Sequence, residues 1–256
     1  MSHTPSTLSR RQLLVLGSLL GGISFATPAM AQLRLRNLLD SARDLAAAEM
    51  LTAEGMRPVF DQMSAQMDRE NPLAPPNDPY ARRLASLTEG LDNYDGLDLD
   101  IQTYLVPDVN AFAMANGTIR IFSGLMDQFT DDEIRYVIGH EIGHVQRDHT
   151  RRRMQGALRK RAALGAAQGA GGTVGQLASG ELSQLFTQVI GAQHSQQHER
   201  EADDYALGFM RNNGYQPMAA VTALEKLGSG SSGGGVPWLQ THPSPQARAR
   251  RMRAQL

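Results

Sequence analysis

The sequence predicts an α+β fold, mainly helical, with a small antiparallel sheet packed on one central helix. Three observations predict it. Apolar residues recur at 3.6-type spacing before residue 70 and again over residues 134–145. The pair Asn116-Gly117 separates two apolar runs, residues 111–115 and 118–122, which signals a two-residue hairpin with both central residues at positive φ. Thr130-Asp131-Asp132-Glu133 fits a capping box at the head of the second apolar stripe.

The 256 residues suffice for one substantial domain, and no internal repeat is visible. Residues 1–31 read as a cleaved export signal, which leaves 32–256 as a single domain. Arg10 and Arg11 open the signal, and Ala29-Met30-Ala31 offers a small-x-small cleavage site. The apolar stretch between them, residues 13–26, is too short for a membrane-spanning helix. The paired arginines point to the twin-arginine route. A general secretory signal is the alternative, because such segments are basic in any case. A formal charge of −1 gives no reason to expect nucleic acid as a partner. With no cysteine, disulfides, thiol catalysis and Cys-ligated zinc are excluded, so a transition-metal site must use His and carboxylates.

Residues 33–69 read as helical, with Leu35, Leu38 and Leu39 and then Val59, Phe60, Met63 and Met67 on apolar stripes. Four prolines across residues 71–79 make a loop, and a short helix follows near 80–91. Leu97, Leu99, Ile101, Thr103 and Leu105 alternate as a strand ahead of the hairpin. The capped helix carries Ile134, Val137, Ile138, Ile142 and Val145 and runs into Arg151-Arg152-Arg153, read as a solvated basic face. Residues 161–180, rich in Ala and Gly, read as a loop, lid or loosely packed helix. Another helix is expected over 182–212, with Gly214 as its stop. A helix after Pro217, a Gly/Ser linker over 228–235 and a short basic helix after Pro245 complete the chain.

The chemistry concentrates in His140-Glu141-Ile142-Gly143-His144. Spacing of i and i+4 puts both imidazoles on one helical face, one turn apart. Two neutral imidazoles and one further ligand leave a zinc ion an open position for water. Glu141 is placed to act as general base on that water in metal-assisted hydrolysis. The third ligand must come from another element. His194-Ser195-Gln196-Gln197-His198-Glu199-Arg200-Glu201-Ala202-Asp203 supplies the candidates. Glu199 and Asp203 share a helical face, which makes Glu199 a ligand and Asp203 the acceptor that orients a ligand histidine. A solvated acidic face is the plainer account of the same spacing. His149, five residues past His144, points elsewhere on the helix and is expected at the surface. His194, His198, Tyr205 and Arg200 are all candidates for an oxyanion donor, and the sequence does not choose among them.

The H-E-x-x-H motif, Glu199-Arg200-Glu201-Ala202-Asp203 and the upstream Asn110-Ala111-Phe112-Ala113 resemble the HtpX-like and CAAX-prenyl-protease-like family of zinc metallopeptidases. The resemblance covers residues 98–248. It implies a zincin-like fold, one Zn2+ per chain, and Glu199 rather than Glu201 as the acidic ligand. The multi-span helices of some members are missing, so the chain is more similar to soluble periplasmic members that degrade misfolded or unassembled envelope proteins. Unfolded protein substrates are therefore the expected partners, with peripheral association at the envelope membrane as a further expectation. A hairpin edge over residues 110–122 offers main-chain hydrogen bonds to an extended substrate, with Asn110, Ala111, Phe112 and Ala113 as the substrate strand. The alternative is an assembly or chaperone-like factor that uses the fold mainly to hold clients. Non-peptide hydrolysis is a third reading. Near the C-terminus, Pro243 restricts His242 to an extended conformation. The family resemblance adds a His-Pro pair followed six residues later by Arg, here Arg248. Two readings stay open for His242: a conditional fourth ligand that displaces water in a latent state, or hydrogen bonding confined to the C-terminal turn.

Overall fold

The computed structural model describes residues 53–168, 188–189, 191–229 and 236–256. The expected export signal, the helix expected before residue 53, and most of the 161–180 and 228–235 stretches lie outside them. The described chain runs through α1 (Ala53–Glu70), α2 (Pro79–Leu87), β1 (Asp100–Tyr104), β2 (Ala111–Ala113), β3 (Thr118–Phe122) and α3 (Ser123–Gln128). It continues through α4 (Asp131–Gln146), α5 (His149–Gln168), α6 (Gln196–Asn212), α7 (Met218–Ser229), α8 (Trp238–Thr241) and α9 (Pro245–Arg253). Among the described residues, no helix is long and apolar enough to cross a membrane.

The sheet is mixed rather than antiparallel. Its order is β1-β3-β2, with β1 parallel to β3 and β2 antiparallel to it. All five residues of β3 are buried, which suits the central strand. Burial along β1 does not alternate, since the adjacent Thr103 and Tyr104 are both buried, and side-chain alternation carries no information about a partner strand's direction. The hairpin also differs in detail. Gly117 N–H donates to Met114 O at 3.1 Å and Met114 N–H to Thr118 O at 2.9 Å, enclosing three residues. Gly117 has φ +92, while Asn116 is not among the positive-φ residues. This is the three-residue loop in which a turn is followed by a left-handed glycine. A Cβ on Gly117 would lie 1.9 Å from Asp98 O, so the loop requires glycine on two counts.

The capping box of α4 forms, with Thr130 N–H donating to Glu133 Oε2 at 2.9 Å. Every residue from Ile134 to Val145 except Arg135 is buried, so α4 is the central helix of the main core. Its contact with α6 is close. A Cβ on Gly143 would sit 3.1 Å from Ala202 Cα, Ala202 O and Tyr205 Cβ. The expected continuation of α4 through residues 151–153 does not occur. Asp148 takes φ +56, ends the helix and redirects the chain into α5. A short polar side chain tolerates that conformation better than most. The expected 182–212 helix is also shorter. Residues 193–195 are irregular, and α6 starts at Gln196, where Ser195 Oγ accepts from His198 N–H at 3.1 Å. Its end falls as expected: Gly214 has φ +70, and Tyr215 N–H donates to Met210 O at 2.9 Å. A second apolar cluster joins Met56, Phe60 and Met63 of α1 to Met114, Met154 and Leu158.

The α4–α6 contact generates a test. Gly143→Ala gains roughly 1 kcal/mol of helix propensity but overpacks backbone on backbone, at a cost of about 1–3 kcal/mol. The expected net is a lower melting temperature by calorimetry, by about 2–4 °C per kcal/mol for a domain of this size. An unchanged or raised melting temperature would show that the interface has room.

Candidate metal centre

His140 and His144 project from one face of α4, one turn apart, and both are buried. Their Nε2 atoms lie 3.0 Å apart. Glu199, from the first turn of α6, brings Oε1 to 3.5 Å from His144 Nε2 and Oε2 to 3.7 Å from His140 Nε2. His242 follows α8 and completes the group: Nδ1 is 3.3 Å from His140 Nε2 and 3.1 Å from Glu199 Oε1. Four ligand atoms bonded to one tetrahedral ion at about 2.0–2.1 Å stand roughly 3.3–3.4 Å apart. The spacings of this buried group bracket that value, and two or three imidazoles with one carboxylate form a donor set suited to zinc.

Asp203, one turn after Glu199, is fully buried, with Oδ1 3.1 Å from His140 Nδ1. Tyr136 OH donates to the same oxygen at 2.8 Å. Arg248, from α9, donates through Nε to Asp203 Oδ2 at 3.0 Å and through Nη2 to Oδ1 at 2.7 Å; its Nη1 bonds Glu199 Oε2. Burial pushes the Asp203 carboxyl upward, but Arg248 and His140 together hold it well below the usual range. Burial acts on Glu199 in the same way, and His242, Arg248 and His144 outweigh it. Burial lowers His144 well below the ordinary imidazole value, with the neighbouring histidines acting in the same direction, so the ring is neutral and free to donate a lone pair.

Glu141 points beside this group. Trp238 Nε1–H donates to its Oε1 at 3.4 Å, and His242 Nε2 lies 3.6 Å away. Trp238 stacks on His242, with centroids 4.3 Å apart and planes at 15°. Glu141, His144 and His242 line a cleft of about 220 Å³ whose wall includes Asn110, Ala111, Phe112 and Ala113. These four residues belong to β2 and its approach, at the edge of the sheet. β3, the other half of the expected edge, is interior.

Of the four residues weighed as oxyanion donors, His194 alone is brought to this cleft. Arg153 Nη1 bonds His194 Nε2 at 2.9 Å. Tyr205 OH instead donates to Asp95 Oδ2 at 3.1 Å, Arg200 is exposed, and His198 stacks on His149. Two expectations fail here. Arg153 is not on a solvated face: it lines the cleft, and burial pulls its guanidinium down to about 10. His149 is not at the surface. It is fully buried, with Nδ1 2.7 Å from His144 Nδ1, because the left-handed Asp148 turns it back toward α4. Burial takes His149 down to about 4. Helical spacing alone gave no sign of that reversal. Tyr136 was findable, since it lies four residues before His140 on the same face.

Comparison with known proteins places these residues in a family. The model for peptidase family M48 matches residues 95–256. The chain is 40% identical over 217 residues to metalloprotease LoiP of Escherichia coli (strain K12), covering 84% of this chain and 86% of that protein. It is 33% identical over 207 residues to metalloprotease YcaL of the same organism, covering 80% and 82%. The beta-barrel assembly-enhancing protease of Escherichia coli (strain K12) is 31% identical over 152 residues, covering 55% of this chain and 31% of that protein. The chain belongs to peptidase family M48 and is a metalloendopeptidase.

Proposed function

We propose that the chain is a zinc-dependent endopeptidase exported to the periplasm, where it hydrolyses peptide bonds in misfolded or unassembled envelope proteins. The observation that carries the chemistry is the buried group of His140, His144 and Glu199, with Glu141 beside it in a cleft walled by an edge strand. His140, His144 and Glu199 hold one zinc ion. Bound there, zinc supplies Lewis acidity that acidifies water and polarises a scissile carbonyl. Glu141 accepts the water proton and passes it to the leaving amine, with Trp238 Nε1–H holding the orientation of its carboxylate. Asp203 fixes the tautomer of His140 so that Nε2 keeps its lone pair for the metal. Asn110, Ala111, Phe112 and Ala113 pair with an extended substrate, which reads backbone more than side chain and favours unfolded chains. The name of the beta-barrel assembly-enhancing relative supports an envelope setting, as does the twin-arginine segment.

His242 serves as a conditional fourth ligand. In the latent state its Nδ1 takes the position that water needs, and the segment moves aside when substrate enters. The observation favouring this over a confined turn role is the 3.1–3.3 Å approach of Nδ1 to Glu199 and His140.

Three outcomes are expected. Glu141→Gln retains zinc by metal analysis and loses casein digestion by about 10²–10⁴-fold. If that variant still meets the cellular need in a complementation assay, the client-holding alternative replaces the enzymatic one. Glu199→Ala loses zinc, and Asp203→Ala weakens zinc binding or activity by roughly 10–100-fold; zinc content and rate equal to wild type in both would remove them from the site. His242→Ala retains zinc and raises the peptidase rate. An unchanged rate, or loss of both zinc and activity in a folded protein, would rule out the latch.

A further inference from the structure

His144 turns its two ring nitrogens in opposite directions. Nε2 faces His140 and Glu199, while Nδ1 faces His149 Nδ1 at 2.7 Å. Two imidazole nitrogens at that distance need one proton between them, since two lone pairs or two N–H groups would repel. A metal on Nε2 takes that lone pair and leaves Nδ1 of His144 as the N–H. His149 Nδ1 is then the acceptor. Its own proton sits on Nε2, and Glu201 Oε2 lies 2.9 Å from that atom. Donor and acceptor run in a single order along the whole chain of contacts.

We propose that Glu201 and His149 form a positioning relay that fixes the tautomer and ring orientation of His144, as Asp203 does for His140. The proposal rests on the reading of His140, His144 and Glu199 as metal ligands and adds two residues to it. The surroundings hold each link in place. Asp148, in a left-handed conformation unusual for a non-glycine residue, aims His149 at His144. The His198 ring stacks on His149 at 4.2 Å with planes at 12°. Gln197 Nε2 donates to Glu201 Oε1 at 2.8 Å, and Arg152 Nη2 approaches Oε2 at 3.3 Å. An imidazole suits this position better than a carboxylate. It carries the hydrogen bond to His144 while keeping the charge of Glu201 one ring away from Glu199 and Glu141.

The test compares the purified full chain with His149→Ala, His149→Asn, Glu201→Ala and His144→Ala. Zinc stoichiometry is measured by metal analysis, zinc affinity by competition with a chromogenic chelator, and coordination by the visible spectrum of the cobalt-substituted protein. Wild type is expected to bind one zinc and His144→Ala to lose it. His149→Ala should weaken zinc affinity by about 10–100-fold and alter the cobalt spectrum. His149→Asn places an acceptor oxygen near the former Nδ1 and should recover most of the affinity. Glu201→Ala, at a partly exposed position, should give a smaller loss in the same direction. Zinc affinity within twofold of wild type in both His149→Ala and Glu201→Ala would overturn the relay. So would an Asn variant no better than Ala when both share the apo melting temperature of wild type. Two zinc ions in wild type, with one lost in His149→Ala, would replace the relay by a second metal site on His144, His149 and His194. A wild-type chain that binds no zinc, or a His144→Ala chain that keeps it, would overturn the metal-centre reading itself and the relay with it.

Discussion

Arg248 reaches from α9 between two carboxylates of α6, Glu199 and Asp203, and all three side chains are buried. An uncompensated charge in such a place is costly: removing one partner of a buried pair destabilises by about 3–5 kcal/mol. The bidentate grip on Asp203 and the bond to Glu199 make the cluster tolerable, and they also set its charge. Glu141, Glu199 and Asp203 outnumber the two arginines beside them, Arg248 and Arg153, which leaves the site acidic and suited to a cation. Burial keeps His144 neutral, so that ring adds no positive charge. The same helix that supplies Arg248 inserts Ala249 and Met252 into the main core. Docking α9 is therefore one event with two consequences: core burial, and the assembly of the acidic side of the site.

The parts legible in the sequence were those set by local rules. Helical spacing alone put His140 and His144 on one face and Glu199 and Asp203 on another. The capping box, the stop at Gly214 and the start near Pro245 each depend on a few neighbouring residues, and the structure has each where the sequence places it. The misread parts depend on partners distant in the chain or on a single backbone torsion. The parallel direction of β1 follows from where residues 105–110 cross the sheet, which alternation does not encode. The burial of His149 and the inward turn of Arg153 follow from Asp148, where one left-handed residue converts an expected continuous helix into two. A solvated arginine run is the usual outcome of such composition. Here the reversal at Asp148 swings the third arginine into the cleft.

The sequence leaves two readings open for His242, a conditional fourth ligand and hydrogen bonding confined to the C-terminal turn. In the structure its segment is tied down at both ends. Trp238 N–H donates to Val109 O at 3.3 Å, and His194 N–H donates to Thr241 O at 2.8 Å. Val109 directly precedes Asn110 and β2, the strand proposed to pair with substrate. Trp238 also carries the bond to Glu141 and the stack on His242. One short helix thus touches the edge strand, the proposed general base and the proposed fourth ligand. A peptide added along β2 must pack beside Val109 and the start of α8. Under the proposed function, the strain or relief that it imposes there reaches His242 through the four residues of α8. Entry of substrate and departure of His242 then become a single mechanical event. The Trp238 bond to Glu141 ties the orientation of the general base to that same event.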